Sequence, residues 1–257
     1  MANYDIIGNI IIAKFDRKTK SKDKKKIAEK LLKEHKGART VLEKVEKFSG
    51  RLRTLKTKHI LGEKTKEAVY HENGCIFRLN VDSCYFSPRL ASERKEIAEQ
   101  VKDGESVLVM FGGVAPYAIV IAKKGKAKRI VSVELGRECN KYALENIKRN
   151  KVSDRVELIQ GDVRKKLPKM REKFDRIVMP RPNLKDSFLD VAFKRIKENG
   201  IIHYYGFCKE ESLGEMINLI ESEARKAKRK IKILGVKKAG EIGVRKYRYR
   251  VDIYIVK

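Results

Sequence analysis

Two carboxylates and a glycine turn follow apolar runs in the second half of the sequence, each where a strand would end. Glu134 follows the run IVSV directly, Asp162 follows VELIQ after one glycine, and Gly112-Gly113 comes just after SVLVMF. A carboxylate at a strand end can accept both hydroxyls of a ribose, and the second acid stands where it could accept from an adenine amino group. Small residues in the turn let the backbone approach a ligand and then open a helix. This pattern predicts a site for a nucleotide-like cofactor.

A turn of two prolines with an arginine between them follows a fourth apolar run. The run 174–179 is predicted to be a buried strand, and Pro180, Arg181 and Pro182 come directly after it. In a sheet that binds a nucleotide-like cofactor, the residues just after such a strand usually face the ligand. We therefore expect this turn to face the active site.

Helices and strands alternate from Glu93 to the C-terminus, and this rhythm indicates βαβ units in a mostly parallel, doubly wound sheet. The last two strands would form a hairpin that adds an antiparallel edge. Helices are predicted at 93–102, 115–124, 138–150, 184–197 and from 212. Strands are predicted at 106–111, 129–133, 156–159, 174–179, 200–205, 231–236 and 248–256.

The first 80 residues are predicted to form a smaller α+β unit. Strands are expected at 4–13, 40–45, 67–71 and 75–79, with a basic helix at 22–34. The polar, basic stretch 49–66 between them is predicted to be a loop that contacts phosphates. The expected fold class is therefore α/β, with a small α+β domain at 1–80 and a Rossmann-like domain at 81–257.

The composition indicates a polyanionic partner. The 257 residues include 62 Lys and Arg against 34 Asp and Glu, a net charge of +28. Such a one-sided excess favours nucleic acid over a membrane, although a lysine-rich, thermophile-like composition is the plainer alternative. No apolar run is long enough to span a bilayer, and the start lacks a signal-peptide pattern. The four cysteines lack a C-x-x-C pair, so we expect reduced thiols, a cytoplasmic location and no metal site.

Other nucleotide-binding classes fit less well. NAD binding is the competing interpretation, but its glycine fingerprint is incomplete because Ala115 stands where another glycine is expected. A P-loop is excluded because the sequence has no G-K-[ST].

A decapeptide ahead of the predicted sheet adds a family resemblance. YFSPRLASER at 85–94, with IIGNIII, GRLR, HENG and IIHYY elsewhere, resembles the archaeal and eukaryotic tRNA (guanine-37-N1)-methyltransferases. The resemblance runs from about Asp5 to the C-terminus. It implies a Rossmann-like class I methyltransferase that depends on S-adenosylmethionine. Longer members carry an extra N-terminal domain, so this chain is similar to a short form that starts near their second domain.

The resemblance also implies roles for single residues. Arg53 would donate to the guanine carbonyl, Glu93 would be the general base at guanine N1, and Arg89 would contact the RNA. A carboxylate beside a cationic stabiliser suits this chemistry, because guanine N1 is a weak nucleophile until it is deprotonated. The cofactor would be bound by Tyr85, Phe111, Gly113, Glu134, Leu135, Asp162, Val163 and Met179.

The implied partner is the anticodon loop of tRNA, with the target base splayed out of its stack into a pocket, and the chain is expected to act as a monomer. The sequence departs from the family pattern at Val109, Ala115 and Pro180, where the family has an Asp, a glycine and an asparagine. The resemblance implies that the turn Pro180-Arg181-Pro182 binds the substrate all the same, either through its backbone carbonyls or through Arg181 as a donor. Three alternatives therefore stay open: a wyosine-type base as a further substrate, aminocarboxypropyl transfer, or RNA binding without catalysis. Arg89 and Glu93 argue against aminocarboxypropyl transfer.

Overall fold

The computed structural model describes residues 3–46 and 50–257. Seven helices lie in these ranges: α1 Ser21–Glu34, α2 Ala91–Glu99, α3 Pro116–Lys124, α4 Arg137–Arg149, α5 Val163–Lys166, α6 Leu189–Arg195 and α7 Leu213–Lys226. Thirteen strands lie there too: β1 Asn3–Ile7, β2 Ile10–Lys14, β3 Thr40–Lys44, β4 Thr57–Gly62, β5 Glu67–Glu72, β6 Cys75–Asn80, β7 Ser106–Met110, β8 Arg129–Glu134, β9 Val156–Gln160, β10 Phe174–Met179, β11 Ile196–Lys209, β12 Lys230–Gly243 and β13 Lys246–Val256.

The main sheet has seven strands in the order β12-β13-β11-β10-β7-β8-β9. Strands β7 to β11 run parallel to one another, and β13 pairs antiparallel with both β11 and β12. This confirms the predicted doubly wound sheet with an antiparallel hairpin at one edge. Because β7, β8, β9 and β10 are parallel, the turns after them meet at one edge of the sheet.

The central strands are continuous apolar runs because helices cover both faces of the sheet. All five residues of β7 are buried, and α3 is buried along 117–122. One large hydrophobic cluster lies on each face. The strand-end turns are therefore carried by the most rigidly packed part of the molecule.

The N-terminal sheet contains four strands in the order β1-β2-β3-β4. The prediction of a single strand over 4–13 was wrong, because the chain reverses at Gly8 and forms an antiparallel hairpin. Gly8 has φ +56°, and a Cβ there would meet the Val69 carbonyl oxygen at 1.8 Å. The basic stretch 49–66 was predicted to be a loop throughout, yet its second half forms β4, which pairs with β3. Lys47 to Ser49 lie outside the described residues.

The β5–β6 hairpin forms a separate two-stranded sheet. One asparagine in α4 and one directly after it bind an edge of this hairpin: Asn146 Oδ1 accepts from the Arg78 amide at 2.7 Å, and Asn150 Oδ1 accepts from the Ile76 amide at 2.9 Å. Their side-chain amides also donate to the Arg78 and Ile76 carbonyls. The hairpin is thus attached to the large domain. The predicted boundary between residues 80 and 81 stays a prediction.

Two further predictions differ from the structure. The helix predicted at 184–197 is confined to α6, because residues 184–188 form a loop in which Phe188 has φ 60°. The strand predicted at 200–205 is part of the longer β11, which continues to Lys209 and pairs with β13 along its length. Within the described residues, no helix is long and apolar enough to cross a membrane. Those residues also contain no cluster of His, Cys, Asp and Glu that could hold a metal ion.

Candidate cofactor and substrate site

A cleft of about 730 Å³ opens at the edge where β7, β8, β9 and β10 end. The basic N-terminal segment closes one side of it through Arg51, Leu52 and Arg53. Seven of the eight predicted cofactor residues line the cleft: Tyr85, Phe111, Gly113, Glu134, Leu135, Asp162 and Val163. The eighth, Met179, is fully buried in the core of the sheet and does not line it.

Glu134 occupies the strand-end position with both carboxylate oxygens held by backbone amides. Gly113 N donates to Oε2 at 2.8 Å, and Gly136 N donates to Oε1 at 2.6 Å. Burial raises the pKa of this carboxyl, and the two amides oppose that rise. The carboxylate therefore fixes the glycine turn and stands ready to accept from the hydroxyls of a ribose.

The turn 111–115 carries backbone strain. Phe111 and Ala115 have φ 61° and 66°, in the left-handed region that non-glycine residues rarely adopt. Gly113 between them has φ 57°, and a Cβ at Gly112 would meet Ser132 Oγ at 2.1 Å. Strained turns of this kind persist where the surrounding packing fixes them, often at ligand sites. Ala115, which replaces the expected glycine, adopts the glycine-like conformation all the same.

Asp162 joins the cofactor edge to the N-terminal segment. Its Oδ2 accepts from Arg51 Nη2 at 2.7 Å, and its Oδ1 accepts from the Arg164 amide at 2.9 Å, which caps α5. Burial alone would raise the pKa of Asp162, but these two donors outweigh it and leave the pKa below its usual range. An adenine amino group that binds this carboxylate must share it with Arg51 or displace Arg51.

Arg53 and Tyr85 form a stacked pair on the wall between this cleft and a second pocket. The Arg53 guanidinium carbon lies 3.5 Å from the centroid of the Tyr85 ring, and Arg248 Nη2 donates to the Tyr85 hydroxyl at 3.4 Å. Burial would raise the pKa of this hydroxyl, but Arg53 and Arg248 outweigh it and lower the pKa. Two cations, Arg53 and Arg248, thus lie beside Tyr85 at the second pocket.

The second pocket, of about 530 Å³, adjoins the cofactor cleft and shares five lining residues with it: Arg53, Tyr85, Phe111, Gly113 and Pro180. Its other walls include Arg94, Tyr117, Tyr205 and Arg248, none of which was predicted. A usable signal existed for Arg248, because arginines alternate with apolar residues in the predicted strand 248–256 and would share its other face. No sequence signal pointed to Tyr117.

Glu93 is brought close to this pocket but does not line it. Its Oε1 accepts from Arg250 Nη1 at 2.5 Å and from the Tyr205 hydroxyl at 2.8 Å. The side chain is 6% exposed. The predicted general base is therefore buried behind Tyr205. The next residue, Arg94, is equally buried and makes a bidentate ion pair with Glu72 of the β5–β6 hairpin.

The two prolines of the turn after β10 line the pockets, whereas the arginine between them is buried. Pro180 lines both pockets and Pro182 lines the cofactor cleft. Arg181 turns away: it is 5% exposed, and its Nη2 donates to the carbonyls of Leu184 and Asp186 at 2.5 Å each. The interpretation of Arg181 as a substrate donor is thus not supported, because its guanidinium stabilises the loop that follows the turn.

Comparison with known proteins identifies the family. Residues 68–234 match the TRM5/TYW2 methyltransferase domain, and residues 1–65 match the TYW2 N-terminal domain. The chain belongs to the TRM5/TYW2 methyltransferase family. This confirms the resemblance seen in the decapeptide and the other motifs.

Curated relatives in the TRM5/TYW2 family cover most of this chain. The tRNA (guanine(37)-N(1))-methyltransferase Trm5b of Pyrococcus abyssi is 36% identical over 98% of this chain and 74% of its own length. The tRNA (guanine(37)-N(1))/4-demethylwyosine(37)-methyltransferase Taw22 of Nanoarchaeum equitans is 35% identical over 99% of this chain and 100% of its own length. A tRNA(Phe) (4-demethylwyosine(37)-C(7)) aminocarboxypropyltransferase of Methanocaldococcus jannaschii is 29% identical over 82% of this chain and 81% of its own length.

Solved structures of the TRM5/TYW2 family share the fold. The crystal structure of Trm5b from Pyrococcus abyssi superposes with a TM-score of 0.88 at 36% identity, over 99% of this chain and 75% of that one. A complex of aTrm5 with tRNALeu superposes with a TM-score of 0.87 at 28% identity, over 98% of this chain and 72% of that one. The structure of TYW2 of Methanocaldococcus jannaschii in complex with AdoMet superposes with a TM-score of 0.75 at 26% identity, over 99% of this chain and 100% of that one. The predicted Rossmann-like methyltransferase fold with a small N-terminal domain is confirmed.

Two residues of this chain that depart from the family pattern, Val109 and Pro180, occupy different surroundings. Val109 is fully buried within β7, inside the sheet. Pro180 stands on the wall shared by the two pockets, where an asparagine side chain was expected. An apolar ring therefore stands at a position that lines both pockets, where the family pattern has a polar side chain.

Arg89, predicted to contact RNA, lies on the rim of a third and larger groove of about 2110 Å³. This groove runs between the N-terminal sheet and the tip of the β12–β13 hairpin, and Lys44, Arg53 and Arg248 also line it. Arg89 is well exposed and binds Asp5 Oδ1 at 2.6 Å. The groove opens onto the second pocket through Arg53 and Arg248, which line both.

Proposed function

We propose that this protein transfers a methyl group from S-adenosylmethionine to N1 of guanosine 37 in the anticodon loop of tRNA. The observation that carries the proposal is the pair of adjoining pockets that share Arg53, Tyr85 and Pro180. One pocket has the acids that suit a nucleoside cofactor, and the other has the cations and aromatic rings that suit a purine. A methyl donor and its acceptor can therefore meet at the shared wall.

The residues of the first cleft fit an adenosine-containing cofactor. Glu134 presents a buried carboxylate fixed by two amides for the ribose hydroxyls, and Asp162 presents a carboxylate for the adenine amino group. Phe111, Leu135 and Val163 supply apolar walls. When bound, the cofactor supplies a methyl group on a sulfonium. The chain's own residues must place this group at the shared wall and exclude water.

Arg53 and Glu93 divide the chemistry of the second pocket between them. Arg53, held by its stack on Tyr85, donates to the guanine carbonyl, where negative charge develops as N1 loses its proton. Glu93 takes up that proton as the general base. Pro180 packs against the base, and the neighbouring carbonyls of the turn accept from the guanine amino group.

The large groove receives the anticodon loop. Its cationic side chains, Arg89 among them, face phosphates, and the target guanine enters the second pocket after leaving its stack. The protein acts as a monomer in this proposal, because one chain supplies both pockets and the groove.

The decisive experiment measures which labelled group of the cofactor is transferred to tRNA. Purified protein is incubated with S-adenosylmethionine labelled either in the methyl group or in the carboxypropyl group, and with tRNA transcripts bearing guanosine or adenosine at position 37. We expect methyl label on the guanosine transcript alone. Carboxypropyl label on tRNA would refute the proposal in favour of aminocarboxypropyl transfer, and no transfer with tight tRNA binding would favour a non-catalytic role. A 4-demethylwyosine-containing tRNA tests the wyosine-type substrate in the same assay.

A further inference from the structure

Two buried tyrosines connect the second pocket to Glu93. Tyr117 lies in the first turn of α3, and Tyr205 lies on β11. Both line the pocket. Their hydroxyls are 3.1 Å apart, and the Tyr205 hydroxyl is 2.8 Å from Glu93 Oε1. A continuous file of three polar groups thus leads from the pocket to a carboxylate that does not itself line it.

The hydrogen bonds in this file have a fixed direction. An ionised carboxylate can only accept, so the Tyr205 hydroxyl must donate to Glu93. Because its single proton is then used, Tyr205 can only accept from Tyr117, and Tyr117 must donate to Tyr205. The oxygen of Tyr117 keeps lone pairs for a donor in the pocket. Every donor points toward Glu93.

We propose that Tyr117 and Tyr205 carry the proton of the target guanine from N1 to Glu93, an inference that rests on the proposed function. The N1–H bond breaks with its electron pair left on N1. That pair forms the new N1–C bond to the methyl group, while the methyl–sulfur bond breaks and its electron pair stays on the departing sulfur. The proton passes to Tyr117, the Tyr117 proton passes to Tyr205, and the Tyr205 proton passes to Glu93 Oε1. Both tyrosines end as neutral hydroxyls. Glu93 holds one extra proton, which is lost to water after the product leaves.

The surroundings of Glu93 suit a final acceptor that stays in place. Arg250 contacts three carboxylates, those of Glu93, Glu96 and Asp252, and Lys237 adds one further cation. This group of three acids and two cations has one uncompensated negative charge, which a proton neutralises. Moving Glu93 into the pocket would instead break its contacts with Arg250 and Tyr205.

The surroundings of the tyrosines keep them protonated. Burial raises the pKa of Tyr117 to about 12, although Arg94 and Arg248 oppose the rise. Burial also raises the pKa of Tyr205 well above its usual range, and the nearby Glu93 adds to the rise. Both hydroxyls therefore hold their protons at neutral pH, as a relay needs between turnovers.

Single-turnover methyl transfer tests the relay in the full chain with saturating tRNA and cofactor. We expect Tyr205→Phe and Tyr117→Phe each to lower the rate by about 10²-fold, in the range of a lost general base, with unchanged affinities for both ligands. The Glu93→Gln variant should lose a similar factor. Adding Tyr205→Phe to it should cost little more, because residues that act as one unit are not additive. The matched control is Tyr204→Phe, which removes a neighbouring buried hydroxyl that lines neither pocket.

The pH profile separates proton transfer from a structural defect. Without the relay, hydroxide must remove the proton, so the rate of Tyr205→Phe should climb with pH through the alkaline range and approach wild type. A merely structural defect lowers the rate by the same factor at every pH. If Tyr205→Phe transfers methyl groups at the wild-type rate and with the wild-type pH dependence, the relay is refuted, whereas the proposed function is not. A wild-type chain that transfers no methyl group would overturn the proposed function and the relay with it.

Discussion

Three carboxylates of the site have distinct environments. Glu134 is held by two backbone amides, Asp162 by one amide and Arg51, and Glu93 by Arg250 and Tyr205. The amides leave the Glu134 carboxylate lone pairs for ligand groups, and the exposed Arg51 can be exchanged for a ligand group at Asp162. A buried guanidinium with further partners cannot. The first two acids thus suit cofactor binding, and the third suits proton uptake from a fixed position.

Arg53 provides the most direct test of the substrate pocket. We expect Arg53→Ala to lower kcat by about 10²-fold, as does the loss of one donor at a developing oxyanion, with a much smaller loss of tRNA affinity. Arg53→Lys should recover little, because a lysine cannot reproduce the planar stack on Tyr85. Single-turnover rates and filter binding measure both effects. The exposed Arg39→Ala is the control, and equal losses of rate and affinity in Arg53→Ala would make Arg53 a binding residue only.

Sequence reasoning found the residues whose position follows from a strand end. Glu134 and Asp162 line the cleft because parallel strands carry their termini to one edge. Arg181 was not predictable in this way, since its direction depends on how residues 184–188 fold back over it. The partner of Glu93 was equally out of reach, because Arg250 lies 157 positions away in the chain.

At the scale of elements, β13 connects the site to the core. One of its faces packs Tyr249, Val251, Ile253 and Ile255 into a hydrophobic cluster. The other face places Arg248 at the substrate pocket and Arg250 against Glu93. Because β13 lies between β11 and β12, these arginines are fixed by pairing on both sides. A single strand of the hairpin therefore positions both a cation of the pocket and the partner of Glu93.

Asp252 supports this strand through a cross-strand pair. It lies opposite His203 on β11, whose Nδ1 is 2.6 Å from Asp252 Oδ1. Burial would raise the pKa of Asp252, but His203 and Arg250 outweigh it and lower that pKa. Because the pKa of Asp252 is lowered by folding, its ionised carboxylate stabilises the folded state. This contribution is fully present above about pH 4, the ordinary pKa of Asp, and is lost as the pH falls through the folded-state pKa.

We expect Asp252→Asn to lower the free energy of unfolding by about 1.5–3 kcal/mol at neutral pH, the usual contribution of a hydrogen bond to a charged group. The difference from wild type should shrink as the pH falls below about 4. Denaturant unfolding across pH measures it, with the exposed Asp154→Asn as control. A difference that stays constant down to strongly acidic pH would contradict the assignment.

The elements that sequence patterns missed are those that tertiary pairing creates. The stretch 57–62 lacks a convincing alternation, yet it forms β4 because β3 offers it an unpaired edge. The helix pattern of 184–197 begins too early because Phe188 in the left-handed region interrupts it before α6. By contrast, β7 to β10 were correctly predicted because buried parallel strands are short, continuous apolar runs.

At the scale of the whole molecule, the net charge of +28 should appear in tRNA binding. A chain that neutralises several phosphates loses on the order of 10³-fold in affinity between about 50 and 200 mM salt, because counterions are released. Arg89→Ala should make this dependence shallower, whereas Lys30→Ala on the exposed face of α1 should not. A flat salt dependence of the wild-type affinity would mean that the charge is a compositional bias.

We predict that the contact between Arg51 and Asp162 couples the binding of the cofactor to the binding of tRNA. A cofactor that takes the carboxylate releases Arg51, whose side chain is 56% exposed, for a phosphate of the incoming RNA. We expect a non-reactive cofactor analogue to tighten tRNA binding at least about fivefold, and tRNA to tighten the analogue by the same factor. Titrations should show this coupling lost in Arg51→Ala and kept in Arg39→Ala, and coupling that survives Arg51→Ala would exclude this origin. Each ligand would then bind more tightly to the complex with the other ligand than to the free protein.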